Sequence, residues 1–169
     1  MKILILAVGK IKDKRIASLS GEYLTRVRPV GIVAAEHIPD QVNASPDGQM
    51  EREGQEILKR LRPRDRLILL REDGKEYDSP GFANFLSLEM NRAAGRVVLA
   101  IGGPWGFCES VKRRAAEEGD LGIALSRMTF PHEMCFLFLT EQIYRAFSIL
   151  QGSNYHHGAK TKIIYNISQ

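Results

Sequence analysis

The feature that most constrains the fold is a regular alternation of short apolar runs with longer segments of helical periodicity. Between the short runs, apolar residues recur three and four positions apart, which is typical of helices packed on one side. This alternation predicts an α/β fold with a mainly parallel sheet and helices on both faces. The strand-length runs are Lys2–Val8, Ile32–Ile38, Arg66–Leu70, Val97–Ile101 and Leu121–Leu125.

The connections between these segments carry turn and helix-start signals. Asp73-Gly74 predicts a turn after the third apolar run, and Ser79-Pro80 predicts a helix with a serine cap and a proline in its first turn. A basic helix is expected from Glu109 to about Glu118, and the last helix from Pro131 to near Leu150. The last helix is apolar on most faces, so a second subunit would explain how it is buried.

Composition and cysteine content restrict the class of protein. The chain has 169 residues, of which 44% are hydrophobic and 26% are charged, as in an ordinary globular domain. Its apolar start is too short for a signal peptide, and Glu141, Gln142 and Arg145 interrupt the last apolar run. We therefore expect a cytoplasmic protein with no membrane span. Cys108 and Cys135 are expected to be buried free thiols, and no zinc-ligand spacing predicts a metal site.

The positive charge falls into three clusters. The formal net charge is +4, which by itself identifies no partner. Each cluster alone is consistent with a solvated surface, but three in one small chain favour the hypothesis of a nucleic-acid partner. The clusters are Lys10, Lys12, Lys14 and Arg15; Arg60, Arg62, Arg64 and Arg66; and Lys112, Arg113 and Arg114.

Ligands of open α/β sheets bind beyond the carboxyl ends of the strands. Three segments are predicted to leave such ends: the one after Leu70, the glycine loop Gly102–Gly106, and Ser126–Phe130. The spacing in the glycine loop matches neither a dinucleotide-binding fingerprint nor a P-loop, which argues against NAD enzymes and phosphate-clamping kinases. Taken alone, this loop is interpreted as a tight turn between a strand and a helix.

Individual reactive residues carry weaker signals. Cys108 and Ser126 lack a neighbouring base or a nucleophile-elbow motif. Glu141 and Arg145 are four residues apart, which fits either a stabilising ion pair or an arginine that reaches a phosphate. Tyr155, His156 and His157 combine stacking, hydrogen bonding and a titratable group. From the residues alone, a histidine pair in a polar tail is interpreted as incidental.

Three segments together resemble a known family. They are IGGPWGF at Ile101–Phe107, SRMTFPHEM at Ser126–Met134 and EQIYRAFSILQGSNYHH at Glu141–His157. Their order and spacing resemble the RlmH family of SPOUT-class methyltransferases, and KILILAVGK at Lys2–Lys10 and LREDGK at Leu70–Lys75 fit as well.

The resemblance implies an enzyme that transfers a methyl group from S-adenosylmethionine to N3 of a pseudouridine in 23S ribosomal RNA. By the same resemblance the target is pseudouridine 1915 in the helix 69 region, and the partners are the ribosome and a second copy of the chain. A C-terminal trefoil knot is implied to build the cofactor pocket. The implied cofactor contacts are Leu70, Gly103, Leu125, Ser126, Arg127, Met128, Thr129 and Phe130. The family resemblance also makes Arg145, Tyr155 and His156 candidate RNA contacts, and His156 and His157 candidate catalytic residues.

The chain departs from the family at two places. Trp105 occupies a position where relatives often carry Glu or another polar residue, and Gly158–Gln169 extends beyond the usual end of the family chain. We therefore expect one SPOUT domain over residues 1–157 and a C-terminal extension over residues 158–169. Two alternatives stay open, a non-catalytic knotted module in ribosome assembly and a methyltransferase that acts on transfer RNA.

Overall fold

The computed structural model describes residues 3–29, 33–41, 44–117, 119, 122–153 and 155. The candidates His156 and His157, and the extension over residues 158–169, lie outside this part of the chain. The elements alternate along the sequence as predicted. In chain order they are β1 (Ile3–Val8), α1 (Lys14–Val27), β2 (Val33–Ile38), α2 (Pro46–Arg60), β3 (Arg66–Glu76), α3 (Ser79–Arg92), β4 (Val97–Ile101), α4 (Glu109–Ala116), β5 (Gly122–Ala124) and α5 (His132–Leu150).

The five strands form one parallel sheet in the order β2-β1-β4-β3-β5. Successive side chains of the central strands enter different layers. Ile3, Ile5 and Ala7 face a core with α1, α3 and α5, whereas Leu4 and Leu6 face a core with α2 and α4. Helices therefore cover both faces, and β1 and β4 are apolar throughout because both of their faces are buried. The predicted fold class is confirmed.

Strand β3 differs from the sequence prediction. The turn expected at Asp73-Gly74 is wrong, because the strand continues to Glu76 and pairs with β5 after a shift of register between Leu70 and Lys75. At Gly74 the backbone of β5 comes so close that a Cβ atom would lie 2.5 Å from the carbonyl carbon of Ile123. Glycine is needed here for close approach of two strands, not for a turn.

Three smaller boundaries also differ. The cap of α3 is Asp78, whose carboxylate accepts a 2.7 Å hydrogen bond from the N–H of Gly81, while Ser79 is already helical. Helix α4 ends at Ala116 rather than near Glu118, and β5 is limited to three residues.

Both cysteines are free thiols, as predicted. Cys108 is buried as expected, whereas Cys135 is only half-buried.

Helix α5 packs against α1 and α3 as well as against the sheet. These neighbours within the chain account for much of its apolar surface. Exposed large apolar side chains still occur on this layer: Leu19 on α1, Leu88 on α3 and Phe138 on α5. No helix in the described part of the chain is both long and apolar enough to span a membrane.

A buried ion pair joins the start of β3 to the start of β4. Asp65 is fully buried and Arg96 is 7% exposed. The Arg96 guanidinium donates hydrogen bonds of 2.5–3.1 Å to both carboxylate oxygens of Asp65. The main-chain N–H groups of Arg62 and Arg96 donate to the same carboxylate. This network holds together the edge of the sheet opposite the carboxyl ends of the strands.

Candidate functional site

The register of the sheet brings the three expected binding segments to one edge. Leu70 pairs with Ile101, the residue before the glycine loop, and also with Ile123, two residues before Leu125. Adjacent strands lie about 4.8 Å apart, so the two loops leave the sheet roughly 10 Å from each other with β3 between them. The three segments thus lie side by side at the carboxyl edge, although the segment after Leu70 is strand rather than loop.

The glycine loop is a tight turn between β4 and α4. The N–H of Gly106 donates a 3.0 Å hydrogen bond to the carbonyl of Gly103, and Gly106 has a φ of +81°, which favours glycine. Trp105 is 55% exposed at the tip of the turn. The indole therefore stands in solvent at the same edge as the other candidate residues.

The Leu125–Phe130 loop is held by the second half of β3. Thr129 donates a 2.6 Å hydrogen bond to Glu72, and the guanidinium of Arg127 lies 3.0 Å from Glu76. The hydroxyl of Ser126 accepts from the N–H of Met128, whose side chain is 72% exposed. The longer β3 thus has a role that the sequence analysis missed, since it supplies the carboxylates that position this loop.

A buried acidic residue, Glu53 of α2, lies against the glycine loop. Its side chain is 1% exposed, and a Cβ atom added to Gly103 would overlap its Oε2. Oε1 accepts hydrogen bonds from the side chain of Gln49 at 2.8 Å and from the main-chain N–H of Gln41 at 3.3 Å. Oε2 has no hydrogen-bond partner among the described residues.

Glu53 is not among the residues predicted from the sequence, although its signal is visible there. It lies three residues after Met50 and four before Ile57, on the apolar face of α2. An acidic residue on a buried helix face is unusual unless it has a partner. That position therefore marks Glu53 as a residue whose role requires explanation.

Two histidines lie near the end of β1. A ring nitrogen of His37 is within 2.8 Å of the carbonyl oxygen of Gly9, and His132 at the start of α5 packs near the same glycine. Burial lowers the pKa of His132, and the neighbouring His37 adds to this effect.

In the described part of the chain, no three His, Cys, Asp or Glu side chains come together as a metal-binding group.

The candidate RNA contacts Arg145, on α5, and Tyr155, beyond its end, form a separate cluster around Glu141. Arg145 and Tyr155 both donate to Oε1 of Glu141, at 2.5 and 3.1 Å, and the Arg145 guanidinium lies 4.9 Å from the centre of the Tyr155 ring. The hydrogen bond to Glu141 raises the pKa of Arg145, and burial raises that of Tyr155. The ion pair is present, while contact of Arg145 with a phosphate stays a prediction.

This cluster is remote from the Leu125–Phe130 loop within one chain. Arg145 follows Pro131 by fourteen residues, which corresponds to roughly 21 Å along a helix that rises about 1.5 Å per residue. The structure thus brings the predicted cofactor residues together on one edge and leaves the predicted RNA contacts elsewhere on the same molecule.

The three basic clusters also separate. Lys10 and Lys12, between β1 and α1, and Lys14, the first residue of α1, are exposed at the edge that carries the candidate cofactor loops. Arg60 and Arg66 form ion pairs with acidic residues, whereas Arg62 and Arg64 are exposed at the opposite edge. In the third cluster, on α4, Arg114 donates a 2.8 Å hydrogen bond to the carbonyl oxygen of Asp65, at the opposite edge. Among the described residues, the first cluster is therefore the one that lies next to the predicted site.

Comparisons with known proteins give a consistent result. Residues 1–156 match the family described as predicted SPOUT methyltransferases. Three similar proteins bear the name ribosomal RNA large subunit methyltransferase H. They come from Porphyromonas gingivalis ATCC 33277 (44% identical), Bacteroides thetaiotaomicron (41%) and Flavobacterium johnsoniae (40%), each over 160 residues that cover 93% of this chain and 99% of the relative.

One solved structure is similar at a lower level. It is a ribosomal RNA small subunit methyltransferase E from Neisseria gonorrhoeae bound to S-adenosylmethionine, with 11% identity and a TM-score of 0.47. The similarity covers 85% of this chain and 65% of that one. A likeness at this level supports no conclusion about ligand or activity.

Proposed function

Because the chain belongs to the SPOUT methyltransferase family, as its motifs predicted, we propose that it methylates N3 of a pseudouridine in 23S ribosomal RNA with S-adenosylmethionine as methyl donor. The observation that carries this proposal is the meeting of Leu70, the glycine loop and the Leu125–Phe130 loop at one edge of the sheet. The names of the near-full-length relatives support a large-subunit ribosomal RNA substrate. We propose a cytoplasmic location because it is consistent with such a substrate. By family resemblance the target is pseudouridine 1915.

The described residues fit an adenosyl cofactor at this edge. The glycine loop exposes main-chain groups that a ligand can approach closely, and Met128 and Trp105 offer exposed apolar surface. The buried Oε2 of Glu53 lacks a donor beside Gly103, as expected in a site that a ligand completes. We assign the cofactor to Leu70, Gly103 and Leu125–Phe130, in a single domain over residues 1–157 with a C-terminal trefoil knot.

S-adenosylmethionine supplies a methyl group on a sulfonium, which is already a good leaving group. The protein therefore contributes mainly by positioning the two reactants in line and by excluding water. Glu72 and Glu76 serve this purpose by fixing the Leu125–Phe130 loop through Thr129 and Arg127. The proton on N3 of the base must also leave, for which His156 and His157 are the candidate acceptors.

The exposed lysines at the carboxyl edge are proposed to bind RNA phosphates. Replacing Lys10 and Lys12 with alanine is expected to weaken RNA binding and to lower the slope of log affinity against log salt by about two, or about one for each lost contact. Cofactor affinity should not change. The matched control is the double replacement of Arg62 and Arg64, which lie at the opposite edge; an equal loss of RNA binding in both variants would contradict the assignment.

We further propose a homodimer formed through the layer of α1, α3 and α5. A partner subunit would explain why Arg145 lies roughly 21 Å from the loop within one chain. In a dimer, Arg145 and Tyr155 of one subunit can approach the cofactor edge of the other. Sedimentation equilibrium should give about 38 kDa, twice the 19.0 kDa of one chain. Leu19→Glu and Phe138→Glu should lower this mass, while Trp105→Glu should not. A 19.0 kDa species for the wild-type chain would refute the dimer.

The proposed reaction is tested by transfer of labelled methyl from S-adenosylmethionine. Large ribosomal subunits, assembled ribosomes, free 23S RNA and transfer RNA, all from cells that lack the modification, serve as parallel substrates. Label in a ribosomal substrate supports the proposal. Label in transfer RNA alone would favour a transfer RNA methyltransferase, and ribosome association without cofactor binding would favour the non-catalytic module.

A further inference from the structure

The unpartnered oxygen of Glu53 suggests a binding residue that neither the motifs nor the relatives' names assign. A buried carboxyl oxygen loses its hydrogen bonds to water, and this loss costs free energy unless a protein or ligand donor replaces them. In Glu53 one oxygen has two donors and the other has none among the described residues. Hydrogen bonds to Oε1 thus hold the carboxyl group in place, while Oε2 remains without a donor among the described residues.

The position of that acceptor is specific. Oε2 occupies the space where a side chain at position 103 would begin, directly against the glycine loop. A side chain at position 103 would therefore require the Glu53 carboxylate to move. A ligand held by the main chain of Gly103 would lie beside a carboxyl oxygen that is ready to accept a hydrogen bond.

We propose that Glu53 is a further binding residue of the cofactor site, with Oε2 accepting a hydrogen bond from an amino group of the bound adenosyl cofactor. This inference rests on the proposed function, since it takes S-adenosylmethionine as the ligand of the glycine loop. S-adenosylmethionine and S-adenosylhomocysteine carry such amino groups on the adenine and on the amino-acid portion. Glu53 would add a polar contact from the α2 layer to a pocket otherwise built by loops.

The informative variant is Glu53→Gln, because glutamine keeps the size of the side chain and can still accept from Gln49 and Gln41 with its amide oxygen. At the place of Oε2 it presents an NH₂ group, which cannot accept. Calorimetric titration with S-adenosylmethionine and with S-adenosylhomocysteine should show affinity at least tenfold lower than that of the wild-type protein. Glu51→Gln is the matched control, because it makes the same substitution at an exposed position on the same helix.

Thermal unfolding without cofactor separates a binding role from a structural one. Since Oε2 has no described partner, Glu53→Gln should unfold at a temperature no lower than that of the wild-type protein. A parallel loss of stability and affinity would overturn the proposal by showing that Glu53 only supports the loop. Affinity within threefold of the wild-type value would overturn it as well. Failure of the wild-type protein to bind either compound would overturn the proposed function together with the inference.

Discussion

Gly74→Ala is expected to cost about 3 kcal/mol of stability and to lower cofactor affinity at least tenfold. The new methyl group would lie 2.5 Å from the carbonyl carbon of Ile123 and 2.7 Å from its nitrogen. Backbone atoms cannot swing aside as a flexible side chain can, so β5 has to move, and overpacking of this kind costs about 1–3 kcal/mol or more. Because β5 leads directly into Leu125, its displacement should carry the predicted cofactor loop with it.

The matched control is Gly21→Ala in α1. Apart from its chain neighbours and the backbone of its own helix, no atom lies within 4 Å of the position that its Cβ would occupy. Alanine favours a helix over glycine by about 1 kcal/mol. Chemical denaturation and cofactor titration of both variants measure the two effects. We expect Gly21→Ala to be more stable than the wild-type protein, and Gly74→Ala to be less stable and to bind the cofactor weakly. Normal cofactor affinity in Gly74→Ala would show that the pairing of β3 with β5 does not position the loop.

Asp65→Ala is expected to destabilise the protein by about 3–5 kcal/mol, because it leaves the guanidinium of Arg96 buried without its counter-charge. The main-chain N–H groups of Arg62 and Arg96 would also lose their acceptor. A comparable surface pair, Glu22 with Arg26, supplies the control, and Glu22→Ala should cost less than about 1 kcal/mol. Equal losses from the two variants would contradict the importance of the buried network.

The same pair predicts a dependence on pH. Burial opposes ionisation of Asp65, but the hydrogen bonds from Arg96 and from main-chain groups outweigh it, so the pKa of Asp65 lies below its usual value. A depressed carboxyl pKa contributes stability that is present above the unfolded pKa, about 4, and is lost as the pH falls through the folded pKa. The stability difference between the wild-type protein and Asp65→Ala should therefore shrink below about pH 4.

The parts of the fold that followed from the sequence are those with strong periodic patterns. The apolar run of β4 and the amphipathic helices predicted the α/β layers, since burial on both faces requires continuous apolar strands. The second half of β3 could not be predicted in this way. Arg71–Glu76 is polar and contains Asp-Gly, a strong local turn signal, and only its pairing with β5 makes it a strand.

The candidate site likewise contains residues that the sequence predicted and residues that only tertiary packing brings to it. Leu70, Gly103 and the Leu125–Phe130 loop were named from strand-end logic and from motif resemblance, and their common edge follows from the parallel register. Glu53 was missed because it is far from the glycine loop in sequence and lies there only through the packing of α2. The bonds from Glu72 and Glu76 to the loop likewise depend on tertiary contacts that no local pattern encodes.

The central claim, that this edge of the sheet directs a methyl group onto ribosomal RNA, is tested most directly by nucleoside mass spectrometry of 23S RNA. Large subunits or ribosomes that lack the modification are incubated with the purified protein and S-adenosylmethionine, and the digested RNA is compared with an untreated sample. We predict the appearance of N3-methylpseudouridine in the fragment that contains pseudouridine 1915. RNA without any new methylated nucleoside, from protein shown to be folded, would contradict the account.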